Sequence, residues 1–158
     1  MKKLLFIIIA LLLVNTVAYG KGVDQFIAIL KSNVQTEKKV ILSQAMQLTH
    51  VEATAFWPVY REYELELSKI INGRIELLRD FAQNYNNLTD AKARELAKKV
   101  FALEKRRTKL KKKYFRKFDR TLSATIAAKF IQVENQINLL LDMQIASELP
   151  LIKLKTQN

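Results

Sequence analysis

Apolar residues recur every three or four positions through most of this chain, and this spacing restricts its fold more than any other feature. The spacing places apolar side chains on one face of an α-helix, whereas a β-strand would need strict alternation. The clearest stretch lies between Ala93 and Tyr114, where Arg107 occupies the one position of the repeat without an apolar side chain. We call the line of these repeat positions the seam. Only three Gly and two Pro occur in 158 residues, which argues against sandwiches, barrels and Gly-rich nucleotide-binding loops. The pattern therefore predicts an all-α protein, either a long antiparallel helical hairpin or a small helix bundle.

The predicted helices begin at residues that are typical helix caps. Thr49 is placed as an N-cap with Glu52 at the third helical position, which together form a capping box. Thr89 followed by Asp90 repeats the pattern, and Ser123 is a weaker third copy. These signals predict long helices near 50–86, 90–120 and 124–147, after one or two shorter helices within 23–46.

Two of the long helices carry interior stripes that include aromatic side chains, and we interpret both stripes as core. Pro58 lies inside the first of these helices and predicts a kink there. Gly73 either splits that helix at a turn or is tolerated within it, and the unbroken phase of the stripe favours one kinked helix. The first stripe consists of Phe56, Tyr60, Tyr63, Leu67, Ile70, Leu78, Phe81 and Tyr85, and the second of Ile126, Phe130, Val133, Ile137, Leu140 and Gln144.

The first twenty residues have the pattern of a secretory signal peptide. Lys2 and Lys3 precede an apolar run over residues 4–14, and the small residues Ala18 and Gly20 follow it. These eleven apolar residues are too few to cross a membrane, which needs about 20. The sequence therefore predicts cleavage after residue 20 and a periplasmic protein. The remaining units are a single helical domain over 21–152 and a C-terminal tail over 153–158.

Two helix starts resemble the repeated motif of the periplasmic LTxxQ superfamily of Spy and CpxP, namely Leu48-Thr49-His50-Val51-Glu52 and Leu88-Thr89-Asp90-Ala91-Lys92. This resemblance implies a helical hairpin that dimerises into a curved cradle and acts as an ATP-independent chaperone or an envelope-stress adaptor. The segments 56–63, 130–137 and 146–152 are similar to a set of exported bacterial proteins without an assigned activity. Metal-sensing branches of the superfamily use His ligands, and His50 is the only His here, so no metal site is expected.

The positive charge is concentrated on one short stretch of the chain. Loss of Lys2 and Lys3 with the signal peptide would lower the net charge from +12 to +10, and residues 105–120 carry ten basic residues against Asp119 alone. Such a field suits anionic partners with apolar character, although a solvated helix face is the alternative. The residues predicted to bind a partner are Lys109, Lys111, Lys112, Lys113, Arg116 and Lys117 for attraction, with Phe115 and Trp57 for apolar contact.

Acidic residues on the preceding helix are expected to neutralise part of this charge. An antiparallel hairpin centred near residue 88 would place Glu62 beside Phe115, Glu64 beside Lys113 and Glu66 beside Lys111. Exposed pairs of this kind contribute only about 0–1 kcal/mol each. They would therefore set the register of the hairpin more than its stability.

These features favour a non-enzymatic periplasmic binding protein, chaperone-like or an envelope-stress adaptor, that binds unfolded or acidic proteins. The alternatives are peripheral binding to an anionic membrane surface and a Skp-like chaperone of outer-membrane proteins. Export argues against nucleic acid as a partner. The absence of Cys and the single His exclude cysteine nucleophiles and multi-histidine centres, and no catalytic residue or cofactor is predicted. A concave basic surface with exposed aromatic side chains would indicate a chaperone, whereas a flat one with buried aromatic side chains would indicate a membrane or structural role.

Overall fold

The computed structural model describes residues 38–152, and every element assigned there is helical. Helix α1 covers residues 38–46 of the described part, and a 3-10 turn at Tyr85–Asn87 joins two of the longer helices. The long helices are α2 at His50–Asn84, α3 at Asp90–Thr121 and α4 at Ala124–Glu148. The all-α prediction is thus confirmed. The predicted signal peptide, the early helices before residue 38 and the tail at 153–158 lie outside the described residues.

Each long helix begins at the capping residue that the sequence predicts. The backbone N–H of Glu52 donates to Thr49 Oγ1 at 3.3 Å, and the backbone N–H of Thr49 donates to Glu52 Oε2 at 2.8 Å. Thr89 and Ser123 each accept a bond from the backbone N–H three residues later, at 3.2 Å. These bonds satisfy donors that a helix start leaves without a partner, and each cap contributes about 1 kcal/mol.

Aromatic side chains from three helices form the centre of the core. Phe118 on α3 packs against both Phe56 on α2 and Phe130 on α4, with ring centroids 4.7 and 4.5 Å away. Tyr63 meets Tyr114 and Phe130 edge to face at 5.2 Å each. All five side chains are fully buried. The prediction that Phe56, Tyr63 and Phe130 belong to the core is confirmed, whereas Phe81 and Tyr85 at the end of the same α2 stripe are only half-buried.

One member of the predicted α4 stripe lies outside the core. Leu140 is 64% exposed, whereas Leu141 is partly buried and Ile145 is buried. After Ile137 the positions that face the core are therefore four residues apart, at Leu141 and Ile145. The predicted stripe would have a step of three residues and then one of four. A straight helix drifts relative to a 3.5-residue repeat, so an apolar stripe that keeps strict heptad spacing leaves the core.

Helix α2 is continuous through Pro58 and Gly73, which confirms one helix and not two. The absence of a side chain at Gly73 has a use in packing. A Cβ atom at this position would lie 3.1 Å from Leu103 Cδ2 on α3. Gly73 therefore lets the two helices approach closely at this level of the hairpin.

Contacts between α2 and α3 run in opposite directions along the two helices, so the hairpin is antiparallel. The core contact between Tyr63 and Tyr114 agrees with the predicted register, but the ion pairs differ from the predicted ones. Glu66 contacts Lys113 at 2.5 Å instead of Lys111, and Glu64 contacts Lys39 on α1 at 3.2 Å instead of Lys113. A lysine side chain is long enough to reach an acid on a neighbouring turn, so these ion pairs can shift while the core contacts keep their register.

Candidate binding face on helix α3

Some of the predicted binding cations already have partners within the molecule. Lys113 contacts Glu66, which also accepts a hydrogen bond from Tyr114 Oη at 2.9 Å. One turn away, Lys117 contacts Glu62 on α2. The bonds from Lys113 and Tyr114 hold the pKa of the Glu66 carboxyl below its usual range. The acids of α2 therefore neutralise the side of α3 that faces the hairpin seam.

Lys111 lies between α3 and α4 and has a different partner. Its Nζ donates to Asn135 Oδ1 on α4 at 2.7 Å. Burial, together with the nearby Arg107 guanidinium, lowers the pKa of Lys111. Arg107 itself reaches Asp142 on α4 at 3.5 Å. Both cations therefore help to join the two helices.

Most of the remaining cations share the outward face of α3. They are three, four or seven residues apart, a spacing that places side chains on one side of a helix. All are exposed, and none forms an ion pair with an acid in the part of the chain that the structure describes. We name this surface the cationic stripe, and its members are Lys98, Lys105, Lys109, Lys112, Arg116 and Arg120.

Phe101 lies within the cationic stripe, between Lys98 and Lys105, and is 72% exposed. The sequence pattern did not identify Phe101, because the adjacent Val100 already satisfies the seam spacing. Its position on the helix relative to the seam residues could have identified it. An apolar residue one position after a seam residue points away from the hairpin, toward the face that carries the lysines.

The two aromatic residues predicted to make apolar contacts are only partly accessible. Phe115 and Trp57 are half-buried and pack against the core, and the Trp57 ring meets Phe56 edge to face at 5.3 Å. Tyr114 and Phe118, next to the basic residues in sequence, are fully buried. The aromatic side chains of residues 105–120 therefore pack toward the interior, whereas the cationic stripe faces outward.

A buried polar cluster that the sequence did not predict joins α1 to the bundle. Lys38 Nζ lies 2.8 Å from Glu134 Oε1, and their side chains are 7% and 0% exposed. Tyr63 Oη and the Asn138 amide donate to the same oxygen at 2.7 and 3.2 Å. Burial raises the pKa of Tyr63, which keeps its phenol protonated as a donor. The cluster is enclosed, so its role is to position α1.

Within residues 38–152, no group of three His, Cys, Asp or Glu side chains is arranged to hold a metal ion. None of the helices described there is long and apolar enough to cross a membrane. His50, the first residue of α2, is exposed.

Comparisons with protein-family models, with curated proteins and with solved structures find no match to this chain. The resemblance to the LTxxQ superfamily therefore stays a prediction. Functional inference rests on the surfaces of the molecule, and the cationic stripe is the most distinctive of them in charge.

Proposed function

We propose that this protein is an exported, non-enzymatic binding protein that docks on an anionic membrane surface through the cationic stripe of α3. The observation that carries the proposal is the row of exposed cations without an acidic partner in the described chain. From Lys98 to Arg120 the row extends over about 33 Å of helix. A basic residue near an anionic bilayer contributes about 1 kcal/mol, so several acting together are sufficient for peripheral binding.

The placement of aromatic side chains favours a membrane surface over an unfolded protein. A chaperone that gathers apolar segments of a client at its basic residues needs several accessible aromatic side chains beside them. Phe115 and Trp57 pack against the core instead. Phe101 is exposed between Lys98 and Lys105, and a single aromatic ring flanked by lysines is suited to insertion among lipid headgroups.

Sedimentation with lipid vesicles tests this proposal. The protein should pellet with vesicles that contain phosphatidylglycerol and should stay in solution with phosphatidylcholine vesicles. Raising the salt concentration from about 0.05 to about 0.5 M should release it, because salt screens exposed charges. Equal binding to both vesicle types, or binding that salt does not change, would contradict the proposal.

A matched pair of double variants locates the binding face. Lys109→Gln with Lys112→Gln removes two charges from the cationic stripe, and Arg61→Gln with Lys69→Gln removes two exposed charges from α2. The first variant should lower the vesicle partition coefficient by about tenfold or more, since each charge contributes about 1 kcal/mol. The second should change it by less than about twofold. Equal losses would mean that net charge, and not the α3 face, determines binding.

A chaperone-like or adaptor role is the second candidate, and the exposure of Phe101 and Val100 beside the cations favours it. An acidic unfolded client would be attracted by the lysines and held weakly by these side chains. The test follows the aggregation of such a client at low and high salt. Salt-sensitive suppression without vesicle binding would select this role over membrane docking, and absence of suppression would remove it.

A further inference from the structure

The outward face of α4 differs in character from the cationic stripe. Its residues are three or four positions apart and exposed, and none of them is charged. Leu139 and Met143 within it are 60% and 62% exposed, and the adjacent Leu140 is 64% exposed. We name this surface the neutral stripe, and its members are Thr125, Ala128, Gln132, Gln136, Leu139, Met143 and Ala146.

The charged residues of α4 between 125 and 146 are directed away from this face. Glu134 is buried in the core. Asp142 contacts Arg107 on α3 at 3.5 Å, and Lys129 donates to the Met46 carbonyl oxygen at 3.0 Å. The exposed face of a soluble helix is normally rich in charge. A face that lacks charge and exposes Leu and Met has instead the composition of the centre of a protein interface.

We infer that the neutral stripe is the contact surface between two copies of this chain. The charge distribution limits where two copies of the chain can meet. The net charge is +12, or +10 once Lys2 and Lys3 leave with the predicted signal peptide, so two copies can approach closely only where their like charges do not meet. The neutral stripe provides such a surface, and the cationic stripe of α3 does not.

The polar residues of the neutral stripe also suit a symmetric pair. Gln132 and Gln136 carry side chains that both donate and accept hydrogen bonds. They can therefore pair with the same residues of a second copy, as an isologous interface requires. From Thr125 to Ala146 the stripe extends about 32 Å, or three heptads, which is enough for two helices to pack along a common seam.

Pairing through α4 does not use the side chains of the cationic stripe, which lies on α3. The inference is therefore independent of the proposed function and is tested without lipid. If both hold, a dimer would present two cationic stripes to one membrane, which raises the overall affinity through multivalency.

Sedimentation equilibrium of the purified protein tests the inference. The wild type should form a dimer, and Leu139→Lys should raise its dissociation constant by about a hundredfold or more, because it brings like charges together at the seam. Leu65→Lys is the matched control, since Leu65 is 66% exposed on α2. A wild type that stays monomeric at every concentration, or a dimer that both variants weaken equally, would overturn the inference.

Disulfide crosslinking gives a second test, because the chain contains no Cys. Gln136 lies near the middle of the neutral stripe, so it would face its own counterpart in either a parallel or an antiparallel pair. Gln136→Cys should form a disulfide-linked dimer on mild oxidation much faster than Leu65→Cys. Equal rates for the two variants would contradict pairing through α4, whatever the oligomeric state of the wild type.

Discussion

Glu134 joins α1 to the rest of the bundle through a buried polar contact. Its side chain is fully buried, and its Oε1 accepts bonds from Lys38, Tyr63 and Asn138. A buried ion pair adds little net stability, because desolvation offsets its attraction, but removal of one partner leaves an uncompensated charge. The cluster therefore fixes where α1 lies, and its integrity depends on all its members.

Replacement of Glu134 by Gln should destabilise the protein by about 3 kcal/mol at neutral pH, since Lys38 then stays buried without a counterion. The matched control is Glu64→Gln, which removes the more exposed pair with Lys39 and should cost less than about 1 kcal/mol. Urea unfolding followed by circular dichroism measures both. Equal losses of unfolding free energy in the two variants would show that the buried Lys38–Glu134 pair matters no more for stability than the exposed pair.

Asp80 should make stability depend on acidic pH. Hydrogen bonds from Lys92 and Lys99, at 2.8 and 3.0 Å, hold the pKa of this carboxyl below its usual range. Because the pKa is lower in the folded state, the stabilisation is complete above the unfolded pKa of about 3.9 and is lost as pH falls through the folded value.

Asp80→Asn should therefore reduce the difference in unfolding free energy between about pH 7 and about pH 3. Asp119→Asn is the control, since Asp119 is exposed and forms no ion pair among the described residues. An unchanged difference in Asp80→Asn, or an equal change in the control, would contradict a role for the Asp80 contacts.

The capping residues could be predicted because their chemistry is local. Thr49 and Glu52 are three residues apart, so the box is visible in a short window of sequence. The Lys38–Glu134 pair joins residues 96 positions apart. Nothing in the local sequence around Lys38 or Glu134 indicates such a contact. The pair could therefore be recognised only from the three-dimensional fold.

At the scale of the elements, the packing of α2 against α3 depends on the space that Gly73 leaves for Leu103. Glycine costs about 1 kcal/mol relative to alanine inside a helix. The position tolerates this cost because a Cβ atom would approach Leu103 Cδ2 to 3.1 Å. The sequence could predict that the helix continues through Gly73, since the stripe keeps its phase. It could not show which α3 residue lies opposite.

Gly73→Ala should therefore have different effects in two backgrounds. In Leu103→Ala, where the crowding is removed, it should stabilise the protein by about 1 kcal/mol. In the wild type it should stabilise by less than half of that, because Leu103 must move. A double-mutant cycle from thermal or urea unfolding gives the coupling, and identical effects in the two backgrounds would contradict the close contact.

At the scale of the whole molecule, the helical spacing was sufficient to predict the all-α fold and the three long helices. Which basic residues pair within the molecule and which face outward could not be predicted in the same way. Lys113 and Lys117 are neutralised by Glu66 and Glu62, and these contacts depend on how the long lysine side chains lie across the assembled hairpin. Only the assembled hairpin shows that Lys109 and the rest of the cationic stripe face outward.

The central claim is that this outward face of α3 meets an anionic membrane surface, and fluorescence at Phe101 tests it most directly. The chain has a single Trp, so Phe101→Trp combined with Trp57→Phe places one reporter within the cationic stripe. Its emission should shift to shorter wavelengths with phosphatidylglycerol vesicles, return with added salt, and stay unchanged with phosphatidylcholine. Unchanged emission under conditions in which the protein pellets with anionic vesicles would show that another face binds, and would contradict the claim.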